Sequence, residues 1–168
     1  MSLKFKNFIR TKFLFLILIT FIPLIFGLII YMTNEKDAYA AVNLSPDNHE
    51  IISLGKSVYS QNCASCHGIK LEGQKNWMSG LPDGLMPAPP HDETGHTWHH
   101  SDKYLFMITK NGIEDIIGQK YPNNMPAYKD ILSDKEIISV LSYIKSTWPN
   151  RIKKIHDQIN AREKSNQS

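Results

Sequence analysis

The pattern of apolar and polar positions divides the chain into stretches of different period. Phe13 to Met32, "FLFLILITFIPLIFGLIIYM", is a run of 20 residues without a charge, preceded by Lys4, Lys6, Arg10 and Lys12. An uncharged run of about 20 residues is what a helix needs to cross a bilayer, and cations ahead of it stay on the cytoplasmic side. Pro23 and Gly27 are tolerated in such helices. The run predicts a single-pass anchor with the rest of the chain facing outward. A cleaved signal peptide competes with it, since "AYA" at Ala38 to Ala40 has the small-x-small pattern of a cleavage site. The run exceeds the usual apolar region of about 7–15 residues, however, and the charged "NEKD", Asn34 to Asp37, separates it from that site. Both readings export the same domain.

Beyond a short polar linker the period becomes helical. Ser45-Pro46-Asp47 offers a capping residue, a proline suited to a first helical position and an acid at the positive helix end. Ile51, Leu54 and Val58 then recur at helical spacing, which predicts a helix over Pro46 to Gln61. From Gly68 to His100 glycines and prolines predict loop. About thirty residues of loop are out of place in a compact domain, unless something other than protein fills its centre. Ser101-Asp102 opens a second helix carrying Leu105, Phe106, Ile108 and Thr109, and Asn111-Gly112 closes it. A further loop follows. "LSDKEIISVLSYIKSTWP" then starts with Ser133 and Glu136 in a capping-box relation and runs Ile137, Leu141, Ile144 and Trp148 down one face. Pro149 marks a break, after which Ile152, Ile155 and Ile159 predict a last amphipathic helix. No internal repeat and no strong strand signal is present. The expected organisation is a cytoplasmic N-terminus and anchor over 1–33, a linker over 34–45, one domain over 46–148 and a basic tail over 149–168.

Charge changes this picture only by removing a function class. The formal +3 of the whole chain includes the four cations ahead of the apolar run and the five of the tail; residues 33–148 hold ten basic and fourteen acidic residues. The domain is mildly acidic, which gives no reason to expect nucleic-acid binding.

The chemistry is concentrated in "QNCASCHG", Gln61 to Gly68, which holds both cysteines of the chain. A structural disulfide would close too short a loop to constrain the unfolded chain much. A redox-active dithiol belongs to an alternation of strands and helices absent here. A zinc site needs further ligands, and there is no second C-x-x-C. Covalent haem attachment remains, for which C-x-x-C-H is the pattern. Cys63 and Cys66 would form two thioethers to the porphyrin edge, and His67, directly behind the second, would ligate iron.

A sixth ligand of methionine sulfur favours ferrous iron and raises the potential. Met78, Met86 and Met125 lie in predicted loops, and Met86 and Met125 share a Met-Pro-Ala flank. Met125 lies past a whole helix from His67, so the chain can wrap to the opposite haem face. We therefore assign Met125 as the ligand and Met86 to loop packing, with His96, His99 or His100 as the alternative.

"LGKSVYSQNCASCHG", "NNMPAY" and "LSDKEIISVLSYIKSTWP", in that order, resemble a class I cytochrome c of the single-haem, membrane-anchored bacterial type over about Glu50 to Trp148. The resemblance implies an all-α fold around one covalent haem c, with the first and last helices crossing where Gly55 and Tyr59 meet Leu141, Tyr143 or Ile144. It also implies that the His67 imidazole is oriented by a backbone carbonyl of a proline loop, for which Pro89 or Pro90 in "PAPPH" is the candidate. The implied work is single-electron transfer between respiratory redox proteins on the periplasmic side of a bacterial inner membrane, with no catalytic residue. A haem enzyme or ligand sensor, and a cytochrome subunit of a larger oxidase or dehydrogenase, are the alternatives.

Two features stand outside this reading. His91, His96, His99 and His100 lie beside Asp92 and Glu93; with Trp98 they are expected to meet the haem propionates or form a polar rim, a second metal being the alternative. The tail is expected to pack on the domain as a solvated amphipathic helix, the alternatives being anionic lipid or a partner.

Overall fold

The computed structural model describes residues 21–28, 30 and 42–166. Residues 21–28 and 30 are helical and exposed, in a unit apart from the one that starts at Val42. Most of the expected anchor, and the "AYA" site, lie outside the described residues. Among the described residues no helix is long and apolar enough to cross a membrane.

From Val42 onward the described residues contain helices and no strand, the all-α class that the sequence predicts. The elements are α1 (His49–Asn62), α2 (Ala64–His67), a 3-10 turn (Thr97–His99), α3 (Asp102–Asn111), α4 (Ile113–Ile117), α5 (Asp134–Thr147) and α6 (Asn150–Ser165).

Local chemistry sets most of their ends. Ser133 Oγ accepts from the Glu136 amide while the Glu136 carboxylate accepts from the Ser133 amide, the reciprocal box that the sequence predicts. Ser101 caps α3 and Gly112, at φ +90°, ends it. The start of α1 is a correction. Asn48, not Ser45, is the cap, its Oδ1 accepting from the amides of Glu50 and Ile51 at 3.1 Å. Ser45 instead closes a turn onto the Asn48 amide, so Pro46 sits in that turn and not in the helix. Two stretches expected as loop also hold short helical pieces, α4 and the 3-10 turn. Each is too brief for any periodicity to reveal.

α1 and α5 cross in close contact. Gly55 is buried there, and a Cβ on it would fall on the Ser139 carbonyl and lie 2.9 Å from Tyr143 Cβ. One turn along, the Tyr59 and Tyr143 rings meet with centroids 5.6 Å apart. Of the residues expected opposite Gly55 and Tyr59, Tyr143 is the one found there, and Ser139, one turn earlier, supplies the backbone contact. The predicted face of α5, Ile137, Leu141, Ile144 and Trp148, is buried throughout, each side chain contributing about 1.5–3 kcal/mol by leaving water.

The segment before α1 and the helix after α5 are tied in by polar groups. Lys164 Nζ donates to Asn43 Oδ1, the Leu44 amide to Asp102 Oδ2 and the Ser45 amide to Ser142 Oγ. Asp102 is also the hub for α6: its amide donates to Asn160 Oδ1 at 2.7 Å, and its Oδ1 accepts from Asn160 Nδ2 at 3.0 Å and lies 3.5 Å from His156 Nε2. Lys145, itself buried, bonds Asp157 at 2.7 Å and stands 4.0 Å from Asp102. With Ile152 and His156 fully buried, α6 is packed on the domain.

Two outcomes follow from these contacts. Alanine normally favours a helix over glycine by about 1 kcal/mol, yet Gly55→Ala will lower stability by about 2–4 kcal/mol in denaturant unfolding, because the added methyl overpacks backbone against backbone. His156 is held below its ordinary value by burial and then by Lys145. It stays neutral in the fold while the unfolded chain takes up a proton near pH 6.5, so the stability it confers is intact above that pH and is lost as pH falls below it. The melting temperature of the haem-loaded protein will therefore decline from about pH 6.5 toward 5, and His156→Gln will flatten that decline by about one proton's worth. A melting temperature that is level over this range in the wild type refutes the assignment.

Candidate functional site

The site is built around the end of α1. Cys63 donates its amide to Tyr59 O at 2.9 Å and then caps α2, its own carbonyl accepting from Cys66 and His67 at 3.1 and 2.9 Å. One short turn thus fixes Cys63, Cys66 and His67 together. Both thiols are free, Cys63 half-buried and Cys66 exposed. Burial, and then the neighbouring Cys66, push the Cys63 thiol up to about 11. A redox-active dithiol needs the opposite, a thiol lowered toward thiolate. Among the described residues no group of three or more His, Cys, Asp or Glu side chains is arranged to hold a metal ion.

His67 is buried, and its Nδ1 lies 2.8 Å from the Pro89 carbonyl. A carbonyl accepts only, so Nδ1 carries the proton and Nε2 keeps its lone pair. Burial holds the imidazole below its ordinary value, and the Pro89 bond opposes that only in part. The ring is therefore neutral near pH 7, as a metal ligand must be.

The long loop folds on itself to bring Pro89 to His67. The Gly73 amide donates to His67 O, the Gln74 amide to Ala88 O and the His91 amide to Leu71 O, each at 2.8 Å. Gly73, at φ +66°, lies so close to the Pro89-Pro90 peptide that a Cβ there would strike Pro90 N and stand 2.6 Å from Pro89 C. Of the two candidate prolines, Pro89 supplies the carbonyl to His67; the Pro90 carbonyl faces Thr97 Oγ1 at 3.4 Å. Trp148 Nε1 donates to His91 O at 2.8 Å and pins the far side of the loop to α5.

Met125 is half-buried, in a loop whose shape is set by Asn123: its Oδ1 accepts from the Met125 amide at 2.9 Å and its Nδ2 donates to Tyr121 O at 2.7 Å. The Met86 amide donates to Pro122 O at 2.8 Å, so the two Met-Pro-Ala loops are neighbours. The histidines form a stacked array. His91 lies on His67 with centroids 4.0 Å apart, His96 on Trp77 at 5.3 Å, and His100 on Tyr104 at 4.6 Å. Trp98 stacks on His99 at 3.6 Å and donates its indole N–H to Glu93 O at 3.3 Å, within its own loop.

Two tyrosine hydroxyls at this site escaped the sequence reading. Tyr59 donates to Gly68 O and Tyr128 to Asn62 O, both at 2.8 Å, and so grip the backbone just after His67 and just before Cys63. His91, which the sequence groups with the propionate or polar-rim histidines, lies stacked on His67. Nothing in the local sequence of these residues marks a bond to a distant carbonyl, although Tyr59 and Tyr128 each lie within four residues of Cys63 or Met125.

Two free thiols and a neutral imidazole with an available Nε2, in one turn, are the donor set that a covalently attached haem requires. Comparison with known proteins points the same way. The family model described as Cytochrome c matches residues 52–148. The cytochrome c-555 of Prosthecochloris aestuarii is 34% identical over 71 residues, covering 39% of this chain and 72% of that protein. The Cbb3-type cytochrome c oxidase subunit CcoP of Azospirillum brasilense is 32% identical over 91 residues, 54% of this chain but only 26% of that protein. The chain therefore spans about a quarter of that second relative. No solved structure matches the chain.

The Gly73 contact can be tested directly. Gly73→Ala will displace the Pro89 carbonyl and lower stability by about 1–3 kcal/mol. By NMR, the His67 Nδ1 proton is expected to exchange slowly in the wild type and rapidly in the variant.

Proposed function

This chain belongs to the cytochrome c family, and on that premise we propose that it is a single-electron carrier of a bacterial respiratory chain, working on the periplasmic side of the inner membrane. Haem c, attached through Cys63 and Cys66, supplies the one-electron chemistry. The observation that carries the reading is His67 held neutral by burial with Nδ1 on Pro89 O, which leaves Nε2 with its lone pair as the ligand atom. That hydrogen bond also raises the basicity of the ligand and locks its ring.

Met125 would supply the second protein ligand to the iron. A soft thioether ligand would favour the ferrous state, and ligands held still by the protein would keep rearrangement small when an electron is gained or lost. No general acid or base is required, and the protein acts by holding its ligands still. Brief encounters suit a small contact patch, and the thin spread of Lys70, Lys75, Lys120 and Lys129 suits partners that let go. The uncharged run from Phe13 to Met32, behind four cations, supports a membrane anchor with the haem domain outside. Pro90 and Trp98, in the same loop as Pro89, would be further haem contacts.

The likeness to an oxidase subunit supports a second reading, a cytochrome subunit bound within a larger complex. Its redox chemistry is the same and only the partner is permanent. Co-purification of the full chain from membranes separates the two.

The spectrum of the haem-loaded full chain tests the carrier reading. A six-coordinate, low-spin spectrum unchanged by carbon monoxide, and a Met125→Ala variant that binds carbon monoxide, are expected. Prompt carbon monoxide binding by the wild type would instead mean an open iron, and a ligand-binding enzyme or sensor in place of a carrier.

A further inference from the structure

Tyr128 makes the one side-chain bond described between the Met125 loop and the turn that carries Cys63. Its acceptor, the Asn62 carbonyl, is the last of α1, and the last carbonyls of a helix have no partner within it. The ring is buried, and burial followed by the two nearby thiols pushes the phenol up to about 12, so the hydroxyl is a donor throughout the physiological range. On its backbone side Tyr128 is equally fixed. Its amide donates to Thr109 O at 3.1 Å, and that of Lys129 to Lys110 O at 2.9 Å, which clamps the loop to the end of α3.

Between this doubly held residue and Met125 lie only Pro126, with its fixed φ, and Ala127, set against Gly112. Little freedom is left in that step. A shift of Tyr128 is therefore passed to Met125, and a shift of the Asn62-Cys63 peptide is passed to Tyr128.

We propose that Tyr128 is a positioning residue for the Met125 ligand: its hydroxyl, tied to Asn62 O, fixes the span between the loop bearing Met125 and the turn bearing Cys63, Cys66 and His67. The proposal rests on the reading of Met125 as the sixth ligand. Its consequence is a methionine held in place by the protein before and during each change of oxidation state.

The test is cyanide binding to the oxidised, haem-loaded full chain, with melting temperature and covalent haem content measured alongside. Tyr128→Phe keeps the buried ring and removes only the hydroxyl. It is expected to retain both thioether bonds and to bind cyanide about two- to tenfold more tightly than the wild type, the factor one ordinary hydrogen bond represents. Ser142→Ala is the comparator. It removes a buried hydroxyl bonded to the Ser45 amide and Ile138 O, neither of which belongs to the Met125 loop or the Cys63 turn, and is expected to lower the melting temperature with wild-type cyanide affinity.

Unchanged affinity in Tyr128→Phe, or an increase in both variants in step with lost stability, overturns the proposal and leaves Tyr128 a structural residue. Met125→Ala keeps the two levels apart. If it fails to tighten cyanide binding, Met125 is not the ligand and the parent reading falls. If it tightens binding strongly while Tyr128→Phe does not, only the role of Tyr128 falls.

Discussion

The rest of the domain depends on the crossing of α1 and α5 at Gly55. With no side chain between them, the Gly55 backbone reaches the Ser139 carbonyl, and Tyr59 can lie against Tyr143 one turn further on. That registration sets where α1 ends, and the end of α1 is where Cys63, Cys66 and His67 begin. Trp148, the residue that caps the end of α5, holds with its indole the loop that brings Pro89 to His67. A helix crossing chosen by one missing methyl group thus sets both the position of the imidazole and the carbonyl that orients it.

What the sequence revealed was what neighbouring residues decide among themselves. The Ser133–Glu136 box, the Ser101 cap, the Gly112 stop and the C-x-x-C-H turn are each complete within a few residues, and each is where the pattern placed it. What it hid was decided at long range. Ser45 looked like a cap, but its amide is engaged by Ser142, far along the chain, and Asn48 takes over the helix start. α4 has five residues between two glycines and no side-chain cap, so neither periodicity nor a start signal announces it. The Tyr59 and Tyr128 hydroxyls show the same limit. An aromatic residue four positions before Cys63, or three after Met125, reads as apolar packing until the fold supplies a carbonyl for its oxygen.

The tail shows how burial changes the meaning of charge. In the sequence, the residues after Trp148 predict a basic, amphipathic helix packed on the domain; in the fold, its buried side includes His156 as well as Ile152, and Asn160 shares two bonds with Asp102. Removing charges such as Asp102 and Lys145 from water is costly unless hydrogen bonds replace the lost solvation. Here Asp102 accepts from Leu44 and Asn160, and Lys145 reaches the exposed Asp157. Such a cluster adds little net stability over an apolar one, but only one docking of α6 satisfies all of its members.

Asn43, Leu44 and Ser45 are consecutive, and each is bonded to a different helix: α6 through Lys164, α3 through Asp102 and α5 through Ser142. Mechanically this is a cable clamp. Tension arriving along the chain from before Val42 is divided among three helices before any of it reaches α1, so the turn that holds His67 is shielded from tugging. The turn that holds His67 is thereby insulated from strain that enters the domain at Asn43 to Ser45.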